Sequence, residues 1–214
     1  MAGTPQRAFP TTEPLNPPMR HRKRGRVLGR SPSHRKALLR NLAAALFLTE
    51  RDKDDYLEEK QAPKVKGRII TTVQKAKEVR PLVERCLTIA CLAQPALEDA
   101  EKLGTKAERN SDEWRRWRKG RQWQQWSAAM APVVKARRRV VRLLGSKPAA
   151  KVCFEVVAPR FTDRAGGYTR IMRLATPRLG DAGVRAVLEF VGVRDRVAKR
   201  APAPKFEAEP AGKA

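Results

Sequence analysis

Residues 67–92 read GRIITTVQKAKEVRPLVERCLTIACL, and a change of rhythm inside this stretch decides the fold class. Residues 67–73 are rich in β-branched side chains and open on Gly67, the pattern of a short strand. Beyond them Val79, Leu82, Val83, Cys86, Leu87 and Ala90 recur at i, i+3, i+4, i+7, i+8 and i+11. That spacing is one face of an amphipathic helix with a core to lie against. Pro81 has no N–H to give to such a helix, so a kink is expected there, or a start as late as Arg80. A strand feeding a core-facing helix is the beginning of an α+β domain.

Working toward the N-terminus, residues 50–59 (ERDKDDYLEE) hold six acids and two bases, which reads as a solvated turn or helix end. Before them Leu38, Leu39, Leu42, Ala45 and Leu46 mark a helix to about Leu48. Ser31 reads as its N-cap and Pro32 as its first residue. From Arg20 to Arg40 there are nine basic residues (Arg20, Arg22, Lys23, Arg24, Arg26, Arg30, Arg35, Lys36, Arg40) and no acid. Gly25 and Gly29 keep the first half of this run flexible. A run so one-sided over 21 residues is read as an anion-binding arm rather than a solvated face. Residues 1–18 are rich in Pro and Thr, nearly uncharged, and expected to be a disordered extension.

Toward the C-terminus, residues 93–132 break the rhythm, with Pro95 and Gly104 as punctuation. They contain all four tryptophans, Trp114, Trp117, Trp123 and Trp126, among Arg115, Arg116, Arg118, Lys119 and Arg121. Aromatics among cations stack on bases, while tryptophans at i, i+3 also pack a helical hairpin, and both readings stand. A helical pattern resumes at Val133 and ends at Gly145. Another runs over about 148–157 and is stopped by 158–161 (APRF). Residues 168–174 (YTRIMRL) and 184–191 (VRAVLEFV) read as a β-hairpin. From Asp195 onward Pro, Ala and Lys dominate, as in a disordered tail. The expected element order is α-β-α-α-α-β-β.

Composition narrows the function. Among 214 residues, 47 Lys and Arg stand against 22 Asp and Glu, a net charge of +25 with a pI near 11.1. Such a surplus repels itself unless a polyanion neutralises it. Neither a membrane span nor a secretory signal is read in the chain. The three cysteines, Cys86, Cys91 and Cys153, form no C-x-x-C pair, and Cys86 falls on the apolar helix face; reduced, buried thiols are expected. His21 and His34 lie in the basic run without the further ligands zinc needs. No catalytic residues, metal or cofactor are expected, and no small-molecule substrate.

Four blocks in order sharpen this. The segment Met19-Arg-His-Arg-Lys23, with Gly25-Arg26, Leu28, Arg30, Ser33-His-Arg35, Ala37-Leu38 and Arg40-Asn41-Leu42, resembles the start of the L-seventeen family of bacterial large-subunit ribosomal proteins. Ile70-Thr71-Thr72, the run Lys75 to Arg80, and Leu87-Thr88 continue the likeness. So do Ala158-Pro-Arg-Phe161 with Arg164 to Ile171, and Gly180-Asp181 before Leu188-Glu189. The resemblance covers about 19–92 and 133–193. It implies a two-layer, helix-on-small-sheet α+β domain over 19–194, with a basic arm at 19–32 and an insertion at about 93–132. It also implies a non-catalytic, cytoplasmic constituent of the large ribosomal subunit that binds ribosomal RNA near the peptide exit tunnel, beside neighbouring ribosomal proteins.

Carried over residue by residue, the resemblance makes the arm residues Arg20, His21, Arg22, Lys23, Arg24, Arg26 and Arg30 RNA contacts, with His34, Arg35 and Arg40 on the following helix. Arg164 and Arg170 become cation clamps around Gly166-Gly167, where backbone approaches the sugar-phosphate chain or simply turns into the strand. Tyr168 stacks on a base or packs in the core. Lys75 and Lys77 are further phosphate contacts. Trp114, Arg115, Trp117, Arg118, Trp123 and Trp126 form an extra contact with RNA or protein outside the family pattern. Family members begin at the residue matching Met19, so residues 1–18 are an extension, or Met19 is the true start. Two other classes are weighed against this: a basic nucleic-acid-binding protein off the ribosome, and an RNA-modifying enzyme. The latter lacks a G-x-G-x-x-G or P-loop here.

Overall fold

The computed structural model describes residues 25–52, 56 and 62–192. The extension 1–18, the arm residues Arg20, His21, Arg22, Lys23 and Arg24, most of the acidic run, and the tail 195–214 lie outside the described residues.

Helix α1 (Pro32–Leu48) starts where its caps placed it. Ser31 Oγ accepts the His34 N–H at 3.5 Å and Pro32 occupies the first turn. Strand β1 (Arg68–Thr72) passes directly into α2 (Val73–Cys91). This start is earlier than Pro81 implied, because Val73 and Ala76 carry the buried stripe back two turns. Pro81 itself lies on the exposed face of α2, where the loss of one backbone hydrogen bond costs least.

Residues 93–132, where the rhythm breaks and a helical hairpin is one of two readings, are largely helical: α3 (Gln94–Leu103), α4 (Asp112–Lys119) and α5 (Arg121–Leu144), the last beginning well before the expected Val133 and carrying Pro132 on an exposed position. The described order is therefore α-β-α-α-α-α-α-β-β. Gly145, at φ 72°, ends α5 with its N–H donated to Val141 O at 2.7 Å. Helix α6 (Lys147–Val152) continues through a π turn (Cys153–Val157) and a 3-10 turn (Ala158–Phe161). Gln94 Nε2 donates to Phe154 O at 3.0 Å. It serves a carbonyl within the π turn and ties the start of the insertion to the core.

Strands β2 (Thr169–Arg173) and β3 (Arg185–Phe190) form the expected hairpin. The sheet order is β1-β3-β2, antiparallel throughout, with Ile69 and Ile171 both opposite Leu188. Alternation along the strands puts Ile69, Ile171, Ala186 and Leu188 into the core beneath the helices, while Arg68, Glu189 and Arg170 align in one row on the other face. The result is one layer of helices on a small sheet. Phe47 packs on Phe190 with ring centroids 5.4 Å apart, and Leu46, Val79, Val83, Leu87, Phe154 and Val157 are fully buried around them.

Two carboxylates behave unlike surface acids. Glu50, read as part of a solvated acidic run, is buried and accepts Arg160 Nη2 at 2.8 Å. A carboxylate taken out of water requires such a cation. Glu84 of α2 accepts the N–H groups of Tyr168 and Thr169 at 3.1 and 2.9 Å and the Thr169 hydroxyl at 2.7 Å, which fixes the start of β2 against the helix.

The three thiols are free, as expected, with Cys86 and Cys153 buried and Cys91 half-buried. Burial pushes Cys86 up to about 12, and raises Cys91 and Cys153 as well. Because the thiolate is the reactive form, Ellman's reagent at pH 8 should leave Cys86 and Cys153 unmodified in the folded chain. Three equivalents should react after unfolding; rapid reaction of three in the native state would contradict this packing. Among the described residues no helix is long and apolar enough to cross a membrane.

Candidate nucleic-acid interface

The N-terminal half of α2 lies beside β2, an edge strand of the sheet, and the two leave an open cleft of about 620 Å³ between them. Val73, Lys77 and Arg80 line it from the helix, and Thr169, Arg170, Ile171 and Arg173 from the strand. Four of these seven side chains are cationic and none is acidic. Lys77 and Arg80 sit at i, i+3, hence on one side of the helix, and both are exposed, as is Arg173. Carboxylates border the cleft without filling it. Arg80 Nε lies 3.8 Å from Glu84 Oε1, whose oxygens are already engaged with the start of β2. Arg170 Nε donates to Glu189 Oε1 at 2.5 Å, and Arg68 Nη2 reaches Glu189 Oε2 at 2.8 Å from the far strand. Glu189 is only 3% exposed. Two guanidiniums thus hold one buried carboxylate, and the row keeps a net positive charge on the open face.

The sequence-derived residues divide accordingly. Lys77 and Arg170 line the cleft. Lys75, two positions from Lys77, is rotated by about 200° around α2 and sits on the opposite flank. That flank receives the described part of the arm: Arg26 Nε is 3.6 Å from Glu78 Oε1. Arg30 turns back on its own loop, Nη1 donating to Leu28 O at 3.0 Å. On α1, His34 is exposed and Arg35 half-buried, while Arg40 Nη2 donates to Arg142 O at 3.2 Å, near the C-terminus of α5.

Arg164 is not splayed outward, because its Nε donates to Gly166 O at 3.1 Å and so braces the turn. Gly166 and Gly167 have φ of 150° and 64°, which only glycine adopts without strain; they make a turn into β2. Tyr168 packs in the core. It is 3% exposed and meets Phe161 at 5.3 Å between centroids, so its ring has no face left for a base. Burial raises its pKa, as the phenol sits beside Thr88 and Cys91.

The four tryptophans are all half-buried. Trp117 meets Trp126 edge-on at 5.6 Å, and the Arg118 guanidinium lies 4.9 Å over Trp114. Arg115 pairs with Asp112 at 3.5 Å. Sequence reasoning missed Arg68, Arg80 and Arg173. Spacing of Lys77 and Arg80 was a usable local signal, whereas Arg173 joins them from a strand some ninety residues away.

A cleft whose cations outnumber its carboxylates, with donors from a helix and a strand, is chemistry for a phosphate backbone. Comparison with known proteins agrees with the motif blocks. The family model for ribosomal protein L17 matches residues 38–191. The chain is 64% identical over 189 residues to the large ribosomal subunit protein bL17 of Rhodopirellula baltica, covering 88% of this chain and 89% of that one. It is 34% identical over 191 residues to the bL17 protein of Nitratidesulfovibrio vulgaris, covering 89% and 100%. With that of Syntrophotalea carbinolica it shares 31% over 173 residues, covering 81% and 75%. The described fold, the acid-poor cleft and these matches converge on one assignment: the chain belongs to the ribosomal protein L17 family.

Proposed function

We propose that this chain is a structural, non-catalytic constituent of the large ribosomal subunit of the bacterial cytoplasm, binding large-subunit ribosomal RNA near the peptide exit tunnel beside neighbouring ribosomal proteins. Family membership supports the ribosomal role. The observation that carries RNA binding is the cleft between α2 and β2, where Lys77 and Arg80 of the helix meet Arg173 of the strand, with Arg170 at its border on the other face of the strand and no acid on the lining. The basic run from Arg20 to Lys36 in the sequence supplies further cations for the same RNA partner. Arginine suits this task because its planar fork meets phosphate oxygens in pairs.

Sedimentation separates this reading from a basic protein bound by charge alone. With ~6–10 phosphate contacts, a purely electrostatic binder loses about 10³–10⁵ in affinity between 50 and 200 mM salt. A tagged chain expressed in bacteria is expected to remain with purified large subunits through a wash at 200 mM potassium chloride. Quantitative release into the supernatant, or equal recovery on bulk DNA, would establish the off-ribosome alternative.

A further inference from the structure

The Trp-rich insertion holds a second concentration of charge apart from the cleft. Between Glu113 and Glu155 the sequence contains 12 Lys and Arg and no acid. Helix α4 is where this charge is most exposed, for none of its residues is buried. Arg116 and Lys119 of α4 and Arg121 at the start of α5 are exposed and have no ion-pair partner among the described residues. Part of the pattern serves the helix itself: Ser111 caps it, Asp112 and Glu113 occupy its first turn, and cations occupy its last, as the macrodipole favours. That account does not reach Arg121, nor the acid-free run that follows.

Three of the four indoles are engaged within the insertion. Trp117 packs edge-on against Trp126 of α5, and Trp126 Nε1 lies so close to Gly104 that a Cβ there would sit 3.6 Å away. Trp114 has one face covered by Arg118. These contacts fasten α4 to α5 and leave the charged side chains outward. The rest of α5 joins the hydrophobic core at Val140 and Leu144, and Val133 is buried one step nearer the insertion. At 1.5 Å per residue, Arg121 stands roughly 18 Å along the axis beyond Val133.

We propose that the face formed by Arg116, Lys119 and Arg121 is a second RNA contact, gripping phosphates without regard to base sequence, with the tryptophans as its internal scaffold rather than as stacking platforms. The α5 rod carries it away from the cleft, so that one chain touches two separated stretches of RNA. This inference rests on the ribosomal reading above.

Tethered cleavage in assembled large subunits tests it. Because Cys86 and Cys153 are buried and Cys91 is half-buried with its pKa raised, an iron–EDTA maleimide label should go to a new exposed thiol, with the labelled parent chain as blank. One reporter is Lys119→Cys and the other is Arg173→Cys in the cleft. Hydroxyl radicals from both are expected to cut ribosomal RNA, at different sites. Cuts from the cleft reporter alone, or protein backbone cleaved instead of RNA at Lys119→Cys, would overturn the second contact and leave the proposed function standing. No RNA cuts from either would overturn both. Since all four tryptophans lie in this insertion, indole emission reports on it alone. Addition of single-stranded oligouridine should leave that emission within about a tenth of its starting value, and strong quenching would show that bases stack there after all.

Discussion

Replacing Lys77, Arg80 and Arg173 together by alanine should lower affinity for large-subunit RNA by about 10²–10³-fold at 0.1 M salt. Each phosphate contact adds about 0.7–0.9 to the slope of log affinity against log salt, so three of them account for about two to three decades there. The slope itself should fall by about two to three. Both quantities come from filter binding or fluorescence titration of the full chain across a salt series. The fold should be nearly untouched, since all three side chains are exposed and the one ion pair removed, Arg80 to Glu84 at i, i+4, is worth ~0.3–0.5 kcal/mol. A melting temperature within two degrees of the parent would confirm that. Arg170 is left out of the set deliberately. Its loss would strip one of two cations from the buried Glu189, confounding binding with stability. An unchanged salt slope in the triple variant would mean that the cleft does not face RNA.

Gly67→Ala should cost about 3–4 kcal/mol of stability, a large part of the ~5–15 kcal/mol that holds a typical domain together. Gly67 has φ 74°, and a Cβ built there would lie 2.5 Å from Glu50 Oε1. The backbone cannot turn aside, because the Gly67 N–H donates to Thr49 Oγ1 at 3.1 Å and Gly67 O accepts the Phe190 N–H at 3.0 Å. The left-handed conformation accounts for about 1–2 kcal/mol. The remainder comes from displacing a buried carboxylate from Arg160. A double-mutant cycle separates the two. In a Glu50→Ala background the added cost of Gly67→Ala should shrink to the backbone part alone, measured as the shift in urea midpoint at constant m-value. Strict additivity would contradict the steric account.

What the sequence disclosed and what it concealed follow from the range of each interaction. Local signals were enough for α1, with its Ser31-Pro32 entry, for β1 and the core-facing stripe of α2 though not its start at Val73, and for the hairpin of β2 and β3. The helices at 93–132 were hard to delimit because Pro95 and Gly104 look like breaks, yet Pro95 stands in the first turn of α3 and Gly104 at its C-terminus. Buried Glu50 and Glu189 were illegible for another reason. Arg160 and Arg68 are more than a hundred residues away in sequence, Arg170 reaches Glu189 from the neighbouring strand, and nothing in the local pattern distinguishes these acids from solvated ones. The same distance hid half of the cleft. Arg164 shows the converse: the motif blocks singled out its position as a cation clamp, whereas its side chain folds onto its own turn.

The strand order β1-β3-β2 has a temporal meaning. The central strand is the last to be synthesised, and β1 and β2 each hydrogen-bond to it. At ~5–20 residues per second, β1 waits on the order of 5–20 s for its partner. Any nascent chain stopped before Arg185 therefore lacks the partner of both β1 and β2 and has none of this sheet, rather than two-thirds of it. Completion of this layer is all-or-none, and it waits for β3.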